Sequence, residues 1–248
     1  MPVAKGEVWA QDTGGDGQPV VLLHPGWGDS TIWDPLLAKL TGRVVRYDTR
    51  GYGRSPRPAA PFTNLGDLIA VLDHLQVRRA MLVGHSGGGG TAIGLALAQP
   101  ERVSALILAA PGTQDYPWPT DDPYFAEFEG IFSAGDRPGL IDLGLRTWAV
   151  AGADTAAQTQ IRAAVTAFFA QGEYERSDPP AYSRLGDIRI PSVLIVGELD
   201  HPSVRDCGES IAERIAGCRK IVVPGVDHLL PLRVPDLLAK IISDYADL

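Results

Sequence analysis

The sequence predicts an α/β fold: a mostly parallel sheet covered by helices on both faces, with an inserted helical cap. Three observations carry that reading. Short apolar runs alternate with amphipathic stretches from one end of the 248 residues to the other. The runs are apolar at successive positions, as strands are when both faces of a parallel sheet are covered. The alternation lapses once, from about Thr113 to Arg184, where 11 of the chain's 18 aromatic residues lie.

In chain order, Glu7 to Gln11 reads as an early strand and Val20-Val21-Leu22-Leu23 as a buried one, closed by His24-Pro25-Gly26. Ile32 to Leu40 reads as a short helix and Arg43 to Tyr47 as the next strand. After a turn-rich stretch, Leu65, Leu68, Ile69, Leu72 and Leu75 recur at helical spacing. Ala80-Met81-Leu82-Val83 is a strand, followed by a helix from about Ser86 to Gln99, with Pro100 at its exit. Val103 to Ala109 is again apolar. Beyond the interruption, Val193 to Val196 and Lys220 to Val223 are strands, with helices around 204–216 and 234–245.

Inside the interruption, helices are expected near 122–134, 138–151 and 155–171. Ordinary crossovers need far fewer residues, so this stretch is expected to be a lid. The domain expectation is a core of 1–112 and 185–248 with a cap of 113–184. The cap aromatics Phe125, Phe128, Phe132, Trp148 and Phe169 are candidates for a pocket lining, although some would serve only to pack the cap helices together.

Composition excludes several classes. A chain of this length buries roughly 70–75% of its unfolded surface and needs no staples. The formal charge of −8, from 22 basic and 30 acidic residues without a basic cluster, argues against nucleic acid as a partner. No run approaches the ~18 apolar residues of a membrane span, and the first twelve residues lack a signal-peptide pattern. A cytoplasmic protein without a membrane partner is the expectation. Cys207 and Cys218 are read as lying in one helix, ~16 Å apart and too far for a disulfide. No metal or cofactor is expected, and the oligomeric state is left open.

Gly84-His85-Ser86-Gly87-Gly88 stands directly after a strand and before a helix, the context in which G-x-S-x-G has meaning. A tight turn there pushes a hydroxyl out at the top of the sheet, beside the free N–H groups of the helix start. A phosphate loop is the rival reading of these glycines, but no Lys-Ser/Thr follows them.

A serine hydroxyl needs a base. Of His24, His74, His85, His201 and His228, the last follows the final strand through a loop able to swing back over the sheet edge. His74 falls within a helix and His85 within the turn. His24 is placed for a structural hydrogen bond, and His201 reads as a solvated loop residue. The base in turn needs a carboxylate. Asp200, immediately after the penultimate strand, is the first choice, with Glu198, Asp227 and Asp115 as rivals.

With these residues in place the chain resembles the α/β-hydrolase superfamily, in the order Ser86…Asp200…His228. The resemblance extends over nearly the whole chain outside the cap. Asp48-Thr49-Arg50-Gly51-Tyr52-Gly53-Arg54-Ser55 resembles the family's structural D-x-R-G-x-G-x-S segment. Gly197-Glu198-Leu199-Asp200 and Val226-Asp227-His228 fall where its acid and base are expected. His24-Pro25-Gly26-Trp27 takes the oxyanion-loop position, with proline replacing the usual first glycine. The resemblance implies an oxyanion hole from the Gly87 N–H and that of either Gly26 or Trp27.

It also implies two-step acyl transfer on a carboxylic ester or lactone, and the aromatic cap adds that the substrate is a small to medium apolar molecule. A non-hydrolytic cyclase, isomerase or lyase, or a ligand-binding receptor, are the alternatives on the same fold. Thioester cleavage fits less well, because an acidic chain does not attract an acidic carrier. Carbon–carbon bond hydrolysis also fits less well, because Leu229, not an aromatic residue, follows His228.

Overall fold

The computed structural model describes residues 1–171 and 174–246. Strands β1 (Pro2–Val3) and β2 (Gly6–Glu7) form a small hairpin. β3 (Ala10–Asp12) joins the main sheet antiparallel to β5 (Val44–Tyr47). The single early strand expected over residues 7–11 is therefore two pieces. Between them the Trp9 N–H turns aside to donate to the Ser55 hydroxyl at 2.8 Å, which takes it out of any ladder.

The other strands are β4 (Val20–Leu23), β6 (Ala80–His85), β7 (Val103–Ala109), β8 (Ser192–Gly197) and β9 (Arg219–Val223). The seven-stranded sheet has the order β3-β5-β4-β6-β7-β8-β9, parallel everywhere except at β3. Neighbouring residues of a strand serve opposite faces. Leu22, Val83, Ile107 and Ile195 pack on one side, and Val21, Leu82, Leu106 and Leu194 on the other. All eight are essentially inaccessible to solvent, each contributing about 1.5–3 kcal/mol from burial. β9 is the edge strand and alternates between exposed and half-buried positions.

The helices begin with α1 (Asp34–Leu37), shorter than expected and preceded by a 3₁₀ turn at Ser30–Trp33. α2 (Asn64–His74) starts where the Thr63 hydroxyl accepts the Gly66 N–H, an N-cap of the usual kind. α3 (Gly87–Ala98) leaves β6 through Ser86 and is buried along most of its length. The stretch between β7 and β8 holds α4 (Pro123–Ser133), α5 (Arg137–Trp148) and α6 (Thr155–Gln171), within a residue or three of the expected bounds. Of the expected cap segment, residues 172 and 173 lie outside the described residues. α7 (Pro202–Arg214), α8 (Leu230–Arg233) and α9 (Pro235–Ala246) complete the fold.

Leu140, Leu143, Ile161 and Val165 of the inserted helices belong to the same hydrophobic cluster as one face of the sheet, so the insertion shares a core with the sheet. One further feature differs from expectation. Cys218 lies beyond α7, which stops at Arg214 because Ile215 is extended and Gly217 turns with φ +73°. Both cysteines are free thiols.

The segment from Asp48 to Ser55 braces the sheet edge. The Asp48 carboxylate accepts the N–H groups of Ser30 and Arg54, and the Ser55 hydroxyl donates to the Asp48 carbonyl. The Arg50 guanidinium meets Asp67 through two 2.7 Å bonds with both side chains buried.

Candidate active site

Ser86 sits at the sharp turn between β6 and α3 with φ +52° and ψ −116°. A non-glycine residue held there costs about 1–3 kcal/mol and persists only where its surroundings enforce it. The enforcement is visible: the Ser86 N–H donates to the Ala109 carbonyl, and its carbonyl accepts the N–H groups of Gly89, Gly90 and Gly112. Glycines on either side permit the crossing. A Cβ on Gly84 would stand 2.5 Å from the Gly88 carbonyl oxygen, and one on Gly88 would stand 2.6 Å from the Leu23 carbonyl carbon.

Asp200 and His228 follow β8 and β9, at the same edge of the parallel sheet at which Ser86 follows β6. His228 Nδ1 lies 3.0 and 2.9 Å from the two Asp200 carboxylate oxygens, with both side chains buried. Asp200 also accepts the His201 N–H at 2.7 Å. The two loops are laced together by the Leu199 N–H to the Val226 carbonyl and the Glu198 N–H to that of Val223.

Among the described residues, no hydrogen bond joins the Ser86 hydroxyl to His228. The link between their loops is His85, whose Nε2 lies 2.8 Å from the His228 carbonyl oxygen. A carbonyl only accepts, so His85 carries its proton on Nε2. Burial and the neighbouring His228 push the His85 imidazole well below its ordinary value, which keeps it neutral.

The rival carboxylates have other partners. Glu198 accepts the Gly225 N–H, and Asp115 accepts those of Ala181 and Tyr182. Asp227 is fully buried, where it accepts the Ala151 and Leu229 N–H groups and pairs with Arg233.

His24 Nδ1 donates to the Pro25 carbonyl at 2.8 Å, and its Nε2 accepts the Thr49 N–H at 3.0 Å. One buried ring thereby pins the His24–Trp27 loop. The Gly26 nitrogen is 3.7 Å from where a Cβ on Gly87 would stand. Trp27 turns its indole toward α4, donating from Nε1 to the Tyr124 hydroxyl at 3.0 Å.

A cavity of about 260 Å³ opens over Ser86, walled by Trp27, Trp118, Tyr124, Phe125 and Trp148 with His201 at its side. A second, of about 320 Å³, lies beyond Gly26 and Gly87 and is walled by Tyr52, Asn64, Phe168 and Glu175 among others. Of the aromatics expected to line the Ser86 pocket, Phe125 and Trp148 do so. Phe128, Phe132 and Phe169 instead stack in series, with ring centroids 5.9 and 4.8 Å apart. None of the three is among the residues that line the cavity over Ser86.

Sequence reasoning missed Trp118, Tyr124 and His201. His201, expected in solvent, has its ring 5.7 Å from those of both Tyr124 and Trp148, with Nδ1 3.8 Å from an Asp122 oxygen. Its position next to Asp200 was the available signal. Among the described residues there is no group of three or more His, Cys, Asp or Glu side chains that could hold a metal ion. No described helix is long and apolar enough to cross a membrane.

The chain is 28% identical over 250 residues to 3-oxoadipate enol-lactonase 1 of Acinetobacter baylyi, covering 95% of this chain and 91% of that one. It is 41% identical to the RutD protein of Caulobacter vibrioides, but over 99 residues only, and so spans about 37% of that relative's length. The solved enol-lactonase from Burkholderia xenovorans superposes over 100% of both chains with a TM-score of 0.81 at 24% identity, a likeness of fold. The profile of the alpha/beta hydrolase family matches residues 20–241, and the chain belongs to that family.

Proposed function

We propose that this protein is a serine hydrolase that cleaves a carboxylic ester or lactone of a small to medium, largely apolar molecule. The observation that carries the reading is the buried Asp200–His228 pair, 2.9 Å apart at the sheet edge where the strained turn presents Ser86. The likeness to an enol-lactonase along nearly the whole chain supports cyclic as well as open esters.

In this reading Asp200 holds the proton of His228 on Nδ1, leaving Nε2 to act as base. The Ser86 oxygen attacks the carbonyl carbon as its proton passes to Nε2. The resulting oxyanion is received by the Gly87 N–H and that of Gly26, each supplying about 3–4 kcal/mol. The Gly26 nitrogen, 3.7 Å from where a Cβ on Gly87 would stand, supports Gly26 as the second donor. Collapse expels the alcohol, which takes the proton from His228, and leaves an acyl-enzyme. Water then repeats the sequence and releases the acid.

Residues 113–184 act as the cap. Trp118, Tyr124, Phe125 and Trp148 from this segment enclose the reacting carbonyl in a space where donors act more strongly than in water. The test is a hydrolysis screen of p-nitrophenyl esters and lactones with the wild type and Ser86→Ala. Turnover by the wild type alone is expected. Equal rates for both proteins, or none for either, overturn the reading.

A further inference from the structure

In one wall of the cavity over Ser86, whose lining also includes His201 and Ser203, Tyr124 and Trp148 meet with ring centroids 5.1 Å apart. The Trp27 indole already donates to the Tyr124 oxygen. An indole N–H can only donate, so the phenol's own proton must go elsewhere. Among the described residues it reaches no acceptor. The Trp148 N–H also faces the phenol oxygen and lowers its pKa, as the Trp27 N–H does. Among the described residues this buried N–H meets no acceptor at full hydrogen-bond geometry. Burial outweighs both indoles and pushes the phenol up to about 12, so at neutral pH Tyr124 keeps its proton.

The phenol hydroxyl is therefore an unspent donor in this wall, and the wall is close to the reacting groups: the Trp148 ring lies 4.7 Å from the ring of His228. An unmet buried donor is costly, and an acceptor oxygen on a bound molecule would meet it. The neighbouring charge sets what kind of oxygen. Asp122 stands behind the wall, accepting the Tyr124 N–H and the Ser203 hydroxyl. Burial opposes its ionisation, but these bonds and His201 hold its carboxyl below the usual range. No Lys or Arg is among the residues lining the cavity, so an anionic ligand group meets no permanent cation there, and the carboxylate behind the wall does not attract it.

We propose that Tyr124, assisted by Trp148, is a specificity-determining residue that recognises a neutral oxygen acceptor (a ketone, ether or amide carbonyl) on the part of the substrate entering this cavity. The inference rests on the hydrolase reading and narrows its substrate to esters or lactones carrying a second, uncharged oxygen.

The experiment measures kcat/KM by acid release for two matched pairs. Ethyl 4-oxopentanoate against ethyl pentanoate probes the acyl side, and 2-methoxyethyl butyrate against butyl butyrate the alcohol side. Monoethyl glutarate supplies an anionic comparison. In the wild type the oxygen-bearing member of at least one pair is expected to be preferred. In Tyr124→Phe that preference should fall roughly tenfold, the size of one hydrogen bond near the upper end of its usual range.

Trp27→Phe removes the other partner of the phenol and leaves its proton in place, so there the preference should persist. An unchanged preference in Tyr124→Phe, an equal fall in Trp27→Phe, or a wild type that favours monoethyl glutarate each overturns the inference. Hydrolysis without any preference for oxygen removes this inference alone. A wild type that hydrolyses none of the five esters removes the hydrolase reading with it.

Discussion

His85 Nε2 donates to the backbone carbonyl of His228 across 2.8 Å, joining the turn that bears Ser86 to the loop that bears the expected base. The bond is buried and the ring is held neutral. His85→Ala, which removes the donor, is expected to lower kcat by about 5- to 150-fold, the kinetic equivalent of about 1–3 kcal/mol. His85→Gln, which keeps an N–H of similar reach, should recover much of that. Steady-state kinetics of the two variants checks the claim, and equal losses would contradict it.

The same ring makes a pH prediction. Its folded pKa lies below its unfolded value of 6.5, so the unfolded chain binds the proton more readily. The neutral ring's contribution to stability is fully present above pH 6.5 and is lost as pH falls from there toward the folded pKa. The difference in unfolding free energy between wild type and His85→Gln should be constant from pH 7 to 8 and shrink below 6.5. Denaturant titrations at pH 8, 7, 6 and 5 would show it.

Asp200→Asn is expected to leave the fold intact and reduce kcat by several orders of magnitude, because an amide can stabilise the wrong tautomer of His228. Asp115→Asn should have little kinetic effect, since its carboxylate serves two backbone N–H groups elsewhere. Circular dichroism and kcat on both variants separate a lost base from a lost fold.

Phe125 and Phe128 should behave differently although they are one helical turn apart. Phe125 lines the Ser86 cavity and is 40% exposed. Phe125→Ala should shift the preferred acyl length while stability changes little. Phe128 packs against Phe132, Phe168 and Trp27, and Phe128→Ala should cost about 2 kcal/mol, less than the ~3–5 of a fully buried phenylalanine. Chain-length profiles and urea midpoints on both variants decide it.

Arg50 and Asp67 form a buried pair with two 2.7 Å bonds. Asp67→Ala leaves a buried guanidinium without its carboxylate and is expected to destabilise the protein by about 3–5 kcal/mol. A midpoint within error of the wild type would show that the bracing of this edge lies elsewhere.

The strands β4, β6, β7 and β8 are legible in the sequence because burial on both faces leaves uninterrupted apolar runs. The edge pieces β1, β2 and β3 are not, since half of their surroundings is solvent and their pairing depends on side chains such as Ser55. Ser86, Asp200 and His228 are legible because each lies just beyond a readable strand, and strand ends converge in a parallel sheet. The pocket wall is harder. Phe125 and Phe128 look alike in sequence, and only packing against Phe132 and Trp27 decides which of them faces the cavity. His201 and Tyr124 carry no spacing signal, because what brings them together is the docking of α4 against the start of α7.

Covalent labelling of Ser86 tests the central claim most directly. A fluorophosphonate should add once per chain, with the mass increase on the peptide containing Ser86, and Ser86→Ala should remain unlabelled over the same interval. Labelling of Ser86→Ala at the wild-type rate, or a wild type inert to the reagent, would contradict the assignment of Ser86 as nucleophile.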